Sequence, residues 1–358
     1  MKIVQVQTQA EAAGAQRVSD MLGAGLRGRG HDVRTVFLYR KTDAYDGDPH
    51  ADFILDHKPQ GARDLLRAVG GLVGYMRRAR PDAVISYQHY GNIAGTIAGR
   101  LAGVKHLIAN QSGAPGQFGG WPAKFADTVM GATGLYDYSI VNSGWLAAQF
   151  AEHPERYRKR VRRIDHGVEA GSTIPNRQTA RRAFDLPDNV FLAISSGRLT
   201  VEKNHAAIIE ALPMLPEMHL AIAGVGPEQD SLLKLALSRG VADRLHMVGE
   251  VPRARIFDFL AAGDVYVFAS RTETFGLAVA EAAIAGLPVV ANRLDVLREV
   301  LGDAALFVDA DREGELAAAI GRVKSDAELR ANLAAAGRAL TRRYSPSTMT
   351  QSYEELLV

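Results

Sequence analysis

Residues 191–212 read FLAISSGRLTVEKNHAAIIEAL. An apolar run ends at Ser195, a loop carries Gly197, Arg198 and Lys203, and a helical pattern starts near Asn204. A strand with so little polar alternation is one buried on both faces, as in a parallel sheet covered by helices. Two cations on a loop beside a helix N-terminus suit a pyrophosphate, because side-chain charge and backbone N–H groups converge there. Taken alone, the loop reads equally well as a solvated turn whose Arg and Lys face water.

The same strand-then-helix grammar extends in both directions. Downstream, residues 219–223, 265–268, 288–290 and 306–308 are strand-like, with helices between them; upstream, so are 2–6, 33–38, 83–86, 107–109 and 138–141. A helix over 14–27 places Val18, Leu22 and Leu26 on one face. Between the two series, residues 165–188 are polar and broken by Gly167, Gly171, Pro175 and Pro187, which marks a linker with a short helix. The pattern predicts an α/β chain of two Rossmann-like domains facing each other across a cleft, at 1–168 and 169–344. The last segment, 345–358, is a helix with no strand after it; packing back on the N-terminal domain is one place for it. Ligands of such sheets sit beyond the carboxyl ends of the strands, so the residues just after strands matter most.

Composition narrows the classes. The chain has 358 residues, 47% hydrophobic and 23% charged, the balance of a globular enzyme. A net charge of +2 supplies no global field for nucleic acid. With no cysteine, disulfides, thiolate metal sites and a cysteine nucleophile are excluded. The opening apolar run is too short for a signal peptide, and no window offers a membrane span. These features lead to an expectation of a cytoplasmic protein, with the inner membrane face as an alternative site.

A second stretch, residues 266–291, reads YVFASRTETFGLAVAEAAIAGLPVVA. A strand ends near Ala269 and a helix starts near Phe275 or Gly276; Glu273 precedes it and Glu281 lies inside it. A carboxylate among alanines is costly to bury without a hydrogen-bond donor such as a ribose hydroxyl. The Gly276 and Leu277 amides are donors at a helix start and could take diphosphate oxygens. The bland alternative makes Glu273 a helix-dipole residue and Glu281 a surface salt-bridge partner. Between the two stretches, Gly224 and Gly226 end a strand, but Gln229 stands where a dinucleotide fingerprint needs its third glycine. The pair reads as a tight turn that lets backbone approach a ligand.

These residues resemble those of the family 4 glycosyltransferases, retaining enzymes of the two-Rossmann architecture called GT-B. Gly197, Arg198, Glu202, Lys203 and Asn204 match that family's Gly-Arg…Glu-Lys-Asn stretch. Glu273, Phe275, Gly276 and Glu281 match its Glu-x7-Glu element, followed by Gly286 and Pro288. The resemblance implies a nucleotide-diphosphate sugar donor, UDP- or GDP-linked, and a hexosyl transfer to a hydroxyl of a sugar or lipid-linked acceptor, as in bacterial polysaccharide, glycolipid or small glycoside biosynthesis. It implies that Arg198 and Lys203 neutralise the leaving diphosphate, Glu281 holds the ribose, Glu273 contacts the donor sugar, and Gly224, Gly226 and Val251 line the nucleoside pocket. It implies neither a cofactor nor a metal. In the N-terminal half, residues 12–18 (AAGAQRV) resemble a family loop, with Ala13 in place of a glycine and Gly14 against the donor phosphates or the acceptor. His89 follows a strand where relatives often carry a histidine near the acceptor, although a structural loop histidine fits equally. Asn110 and Gln111 stand where many relatives have a histidine facing the sugar, which makes them acceptor-side candidates.

Two weaker features remain. Asp46-Gly47-Asp48 has the look of a metal motif but sits in a polar loop. The run RYRKRVRR, 156–163, reads as a solvated helix face or as a patch for anionic lipid. Loops 41–59 and 110–121 are expected to contact the acceptor, the glycines of 113–120 suggesting a segment that orders on binding. An epimerase of the same fold and a non-catalytic sugar-nucleotide binder are the alternatives; a dehydrogenase is disfavoured because the first loop has a single glycine. The oligomeric state is not legible.

Overall fold

The computed structural model describes residues 1–11, 13–115, 120–171 and 174–357, the side chains at 122 and 123 excepted. Ala12, residues 116–119 of the glycine-rich loop and residues 172–173 of the linker lie outside the described residues, and with them the expected ordering of that loop. The chain forms two units, Met1–Gly167 with Tyr344–Val358, and Val168–Arg343.

Unit 1 begins β1 (Lys2–Ala10), α1 (Gly14–Gly28), β2 (Asp32–Arg40), β3 (Ala51–Leu55), α2 (Ala62–Ala79), β4 (Ala83–Tyr87) and α3 (His89–Leu101). It continues with β5 (His106–Asn110), α4 (Gly120–Thr133), β6 (Tyr138–Val141), α5 (Gly144–Ala148), α6 (Glu155–Arg158) and β7 (Val161–Arg163). The strands form one parallel sheet in the order β3-β2-β1-β4-β5-β6-β7. Its core joins Val4, Val6, Val36, Val84 and Leu107 to Leu72 and Met76 of α2 and Ala94 and Ala98 of α3. Gly91, Gly95 and Gly99 form the inner face of α3. A Cβ at 95 would lie 3.0 Å from the Ser86 Cβ, and one at 99 would lie 2.5 Å from a Leu107 methyl, so this helix rests on the sheet with no side-chain spacer.

Unit 2 runs α7 (Arg177–Ala183), β8 (Phe191–Ser196), α8 (His205–Ala211), β9 (Met218–Ala223), α9 (Gln229–Ser238), β10 (Leu245–Gly249) and α10 (Ile256–Ala262). It ends with β11 (Val265–Phe268), α11 (Leu277–Ile284), β12 (Val289–Asn292), α12 (Asp295–Leu301), β13 (Ala305–Val308), α13 (Glu315–Ser325) and α14 (Ala327–Ala339). Its parallel sheet has the order β10-β9-β8-β11-β12-β13. The short helix expected in the linker is α7. Its buried Arg181 bonds Asp264 at 2.6 Å, and the same carboxylate accepts from the Leu192 amide at 2.8 Å, which fixes α7 at the amino ends of β8 and β11.

The last helix, α15 (Pro346–Glu355), belongs to unit 1 and packs on α1. Glu354 bonds Arg29 at 2.7 Å and His31 at 2.8 Å, and Tyr353 donates to the Asn110 side chain. A notch at Gly25 admits the helix: a Cβ there would sit 2.2 Å from the Thr350 hydroxyl oxygen.

Two expectations need correction. The 41–59 loop contains strand β3, and β10 also escaped the sequence reading; both are short edge strands of intermediate burial, with neither a clean alternation nor a long apolar run. The 156–163 run is not one helix face. It divides into the single turn α6, where Tyr157 is buried, and edge strand β7, where Arg163 pairs with Asp165 at 2.6 Å. Asp46-Gly47-Asp48 is part of a loop in which Asp46 pairs with Arg40 and Asp48 caps the His50 amide at 2.8 Å.

The Gly25 notch gives a direct test. Gly25→Ala should destabilise the protein by about 1–2 kcal/mol through overpacking against α15. Adding Thr350→Ala should recover most of that loss, read as a non-additive double-mutant cycle in urea unfolding.

Candidate functional site

In unit 2 the chain winds outward from β8 through β9 to β10, then crosses to the other side for β11, β12 and β13. The crevice beyond the carboxyl ends of β8 and β11 is therefore the switch point, where neighbouring loops turn apart and leave room for a ligand. Both motif loops emerge there. After β8, Gly197 (φ +152°) leads through Arg198 to the turn Val201–Lys203, and Asn204 adopts a left-handed conformation (φ 54°) before α8. After β11, Ser270 and Arg271 reach back: the Arg271 amide donates to the Glu202 carbonyl at 2.8 Å and the Ser270 hydroxyl at 3.2 Å. One backbone oxygen thus ties the two loops together.

That tie brings Lys203 to Glu273. The Lys203 Nζ lies 2.5 Å from Glu273 Oε1 and 5.6 Å over the Phe268 ring. The pair is mostly shielded, so its charge-assisted bond is stronger than an exposed ion pair. Arg198 stands exposed in the same loop, and its guanidinium makes no hydrogen bond or ion pair among the described residues. Gly276 (φ +86°) opens α11, which no side chain caps. A Cβ at 276 would lie 2.8 Å from a Leu297 methyl, so the positive φ and the packing both require glycine. Phe275 and Glu281 are each 2% exposed. The surface salt-bridge reading of Glu281 is thereby overturned: this carboxylate is inside, where it needs polar partners.

The glycines of the β9 turn have a structural reason of their own, beside the one expected. The Gly197 amide donates to Ala223 O at 3.0 Å, the Leu199 amide to Val225 O at 3.0 Å, and the Gly224 amide to Gly249 O at 2.7 Å. A Cβ at 224 would fall 1.9 Å from the Gly197 carbonyl oxygen, and one at 226 would fall 2.4 Å from Leu199 O. Gly224 and Gly226 are small so that two backbone turns can touch each other. Val251 follows two residues after Gly249, so the ends of β8, β9 and β10 form one continuous rim.

Unit 1 has its own switch point, between β1 and β4. Gly14 opens α1 beyond β1, and His89 opens α3 beyond β4. Gln88 accepts from the Thr8 amide at 3.1 Å and Thr8 Oγ1 from the Gly91 amide at 2.9 Å, which binds the two loops. Burial lowers the His89 pKa, and its Nε2 is enclosed without a partner. His89, Gln111, Lys124 and Asp127 line one small pocket. Asp127 was missed in the sequence, though an acid inside an apolar helix was there to be noticed; it accepts from Tyr157 at 2.7 Å and from Gln111 Nε2 at 3.0 Å. Asn110 is used by the fold: its amide donates to Ser86 O at 3.1 Å and its Oδ1 accepts from Tyr353. Among the described residues, no group of three or more His, Asp or Glu is placed to hold a metal.

Residues 13–166 match the glycosyl transferase 4-like domain, and residues 176–340 match the glycosyl transferases group 1 domain. The chain belongs to this glycosyl transferase family. Among curated relatives, the lipopolysaccharide core biosynthesis glycosyltransferase LpsD of Rhizobium meliloti is 33% identical over 185 residues, 51% of this chain and 53% of that protein. A D-inositol 3-phosphate glycosyltransferase of Xylanimonas cellulosilytica is 35% identical over 182 residues, 48% of this chain and 44% of that protein. The chain spans about half the length of the curated relatives it matches. Among solved structures, Anabaena Alr3699/HepE in complex with UDP and glucose superposes with a TM-score of 0.86 at 20% identity, covering 100% of this chain and 99% of that one. The shared fold is GT-B.

His205 opens α8 two residues after Lys203. Burial pushes its pKa down to about 4, and the Lys203 charge adds to the effect. A histidine held neutral in the fold but free to protonate at about 6.5 when unfolded supports stability fully above about pH 6.5; that support is lost as pH falls toward 4. Urea unfolding at pH 7.5 and 5.5 should show the wild type losing about 1 kcal/mol more than His205→Asn over this interval.

Proposed function

We propose that this family member transfers a sugar from a nucleotide-diphosphate donor to a hydroxyl acceptor with retention of anomeric configuration. The observation that carries the reading is the 2.5 Å contact of Lys203 with Glu273 at the switch point of unit 2, beside the exposed Arg198. In the proposed reaction the bond from the anomeric carbon to the diphosphate oxygen breaks, and its electron pair leaves with the nucleoside diphosphate. The acceptor oxygen bonds to the same carbon on the same face, and its proton passes to the departing phosphate. Negative charge grows on the diphosphate, where Lys203 and Arg198 stabilise it without a metal. Glu273 meets the donor sugar, Glu281 binds the ribose hydroxyls, and the amides at Gly276 and Leu277 meet the phosphates. Val251 and the rim at Gly224 and Gly226 border the nucleoside. On unit 1, neutral His89 and Gln111 bind the acceptor; Gly14 belongs to the same rim.

UDP is the first donor base to test, since the Anabaena structural neighbour holds UDP-glucose, and glycoconjugate hydroxyls are the first acceptors, given the names of the relatives. Thermal unfolding against a panel of nucleoside diphosphates should give an upward shift for one base. With the matching sugar donor at saturation, Lys203→Ala should lower turnover by about 10²–10³-fold, the usual scale for removing a group that stabilises a developing anion. Removing Lys203 leaves the shielded Glu273 without its cation, so stability should fall by about 1–3 kcal/mol, too little to unfold the protein or to account for the loss of turnover. Turnover should survive EDTA, and the anomeric proton of the product should keep the donor's configuration by NMR. Undiminished turnover of Lys203→Ala contradicts the assignment.

A further inference from the structure

The large apolar side chains left in solvent on unit 1 are not scattered. Among the described residues, every one apart from Met1 belongs to α2, α3, α4 or the turn after α4. These three helices each carry the chain the same way across the sheet, from β3 to β4, β4 to β5 and β5 to β6, whereas α1 carries it the opposite way. With right-handed crossovers, α2, α3 and α4 therefore share one face of the sheet, and α1 lies with α15 on the other. On that shared face α4 is amphipathic in an unusual sense. Met130 and Gly131 point in, while Trp121, Phe125 and Val129, four residues apart, form an outward stripe about 12 Å long. Trp121 is 74% exposed and Phe125 57%, with their rings stacked at 5.6 Å. On α2, Leu66 is 74% exposed, next to Arg63 and Arg67.

The charge on this face is predominantly positive. Helices α2, α3, α4 and the adjoining α6 carry eight Arg and Lys against three carboxylates. Of those three, Asp127 is turned inward to Tyr157 and Gln111, Asp64 accepts from the Gln60 amide and faces Arg67 at 3.6 Å, and Glu155 is neutralised by Lys159 at 2.8 Å. Arg100 is itself paired with Asp137 at 2.9 Å, so the positive excess rests on Arg63, Arg77, Arg78, Lys124, Arg156 and Arg158. Lys124 sits between the two exposed aromatics, and Arg156 and Arg158 project from α6 alongside. Such a surface would be a solubility liability in water and is the pattern that suits the boundary of an anionic bilayer: amphipathic rings at headgroup depth, and basic side chains paired with lipid phosphates. We propose that the α2–α3–α4 face of unit 1 docks on an anionic phospholipid surface, with Trp121 and Phe125 entering the headgroup layer. The proposal does not depend on the transfer reaction. It assigns the Arg156–Arg163 run a supporting place at the edge of this face.

Flotation of the full chain with phosphatidylcholine vesicles, with and without about one-third phosphatidylglycerol, tests it. Binding is expected only to the anionic vesicles, weakening as salt rises. The Trp121→Ser/Phe125→Ser variant should bind at least tenfold more weakly with an unchanged melting temperature, since both rings are exposed. Arg156→Glu should weaken binding by roughly fivefold or more at low salt, at about 1 kcal/mol per basic side chain. The chain has two tryptophans; brominated lipid should quench wild-type emission, and Trp121→Phe should abolish the quenching. No wild-type binding to anionic vesicles, or equal binding by the double serine variant, overturns the proposal. So does a concentration-dependent dimer that the double serine variant abolishes, which would mean that a second copy covers this face.

Discussion

The proposed donor site depends on a salt bridge that spans two neighbouring strands. Lys203 and Glu273 are 70 residues apart in sequence and 2.5 Å apart in space, and nothing local to either loop would bring them together. The parallel order β8-β11 sets their strands side by side, and the shared Glu202 carbonyl then clamps the loops. A cation and a carboxylate held by backbone in this way lose little side-chain freedom when they meet a ligand, which is how a fold pre-organises a polar site. The neighbouring parts serve the same end. Glycines at 224 and 226 let the β9 turn press on the β8 loop, and glycine at 276 turns the chain into α11 against Leu297. Each of these positions would drive a side chain into backbone or core, so the rim's shape and its sequence are tightly linked.

Unit 1 repeats the architectural logic with different chemistry. Its switch point offers His89, kept toward the neutral form by burial, and a buried network around Asp127 that holds Gln111 and Tyr157. A neutral imidazole with an enclosed, unpartnered nitrogen can exchange a hydrogen bond with a hydroxyl at little reorganisation cost, whereas the cationic loops of unit 2 suit an anion. The two units therefore differ in what they can bind, although both are parallel sheets with the chain reversing direction beside a central strand.

How much of this was legible in the sequence depended on the range of the interaction. The β8 loop and the β11 loop each announce themselves through a buried strand, a glycine and a helix start, so Arg198, Lys203, Glu273 and Glu281 could be named from local pattern. Strands β3 and β10 could not, because edge strands with intermediate burial carry neither of the two periodic signals. Gly224 meets the same limit: a glycine that admits backbone looks the same in sequence whether the backbone belongs to a ligand's pocket or to another turn, and its contact with the Gly197 carbonyl was not legible. Asn110 was placed on the acceptor side from its position alone, but its partners include Tyr353, 243 residues away, and no local pattern reports such a pairing. The seat of α15 on α1 likewise turns on Gly25, which in sequence is one more small residue in a helix.

Amide hydrogen exchange with and without a saturating nucleoside diphosphate, beginning with UDP, tests the central claim most directly. Ligand should slow exchange together in residues 197–204 and 270–281, the two segments joined by Lys203 and Glu273, and Lys203→Ala should lose that protection in both. Protection confined to other segments, or unchanged in the variant, would contradict the account.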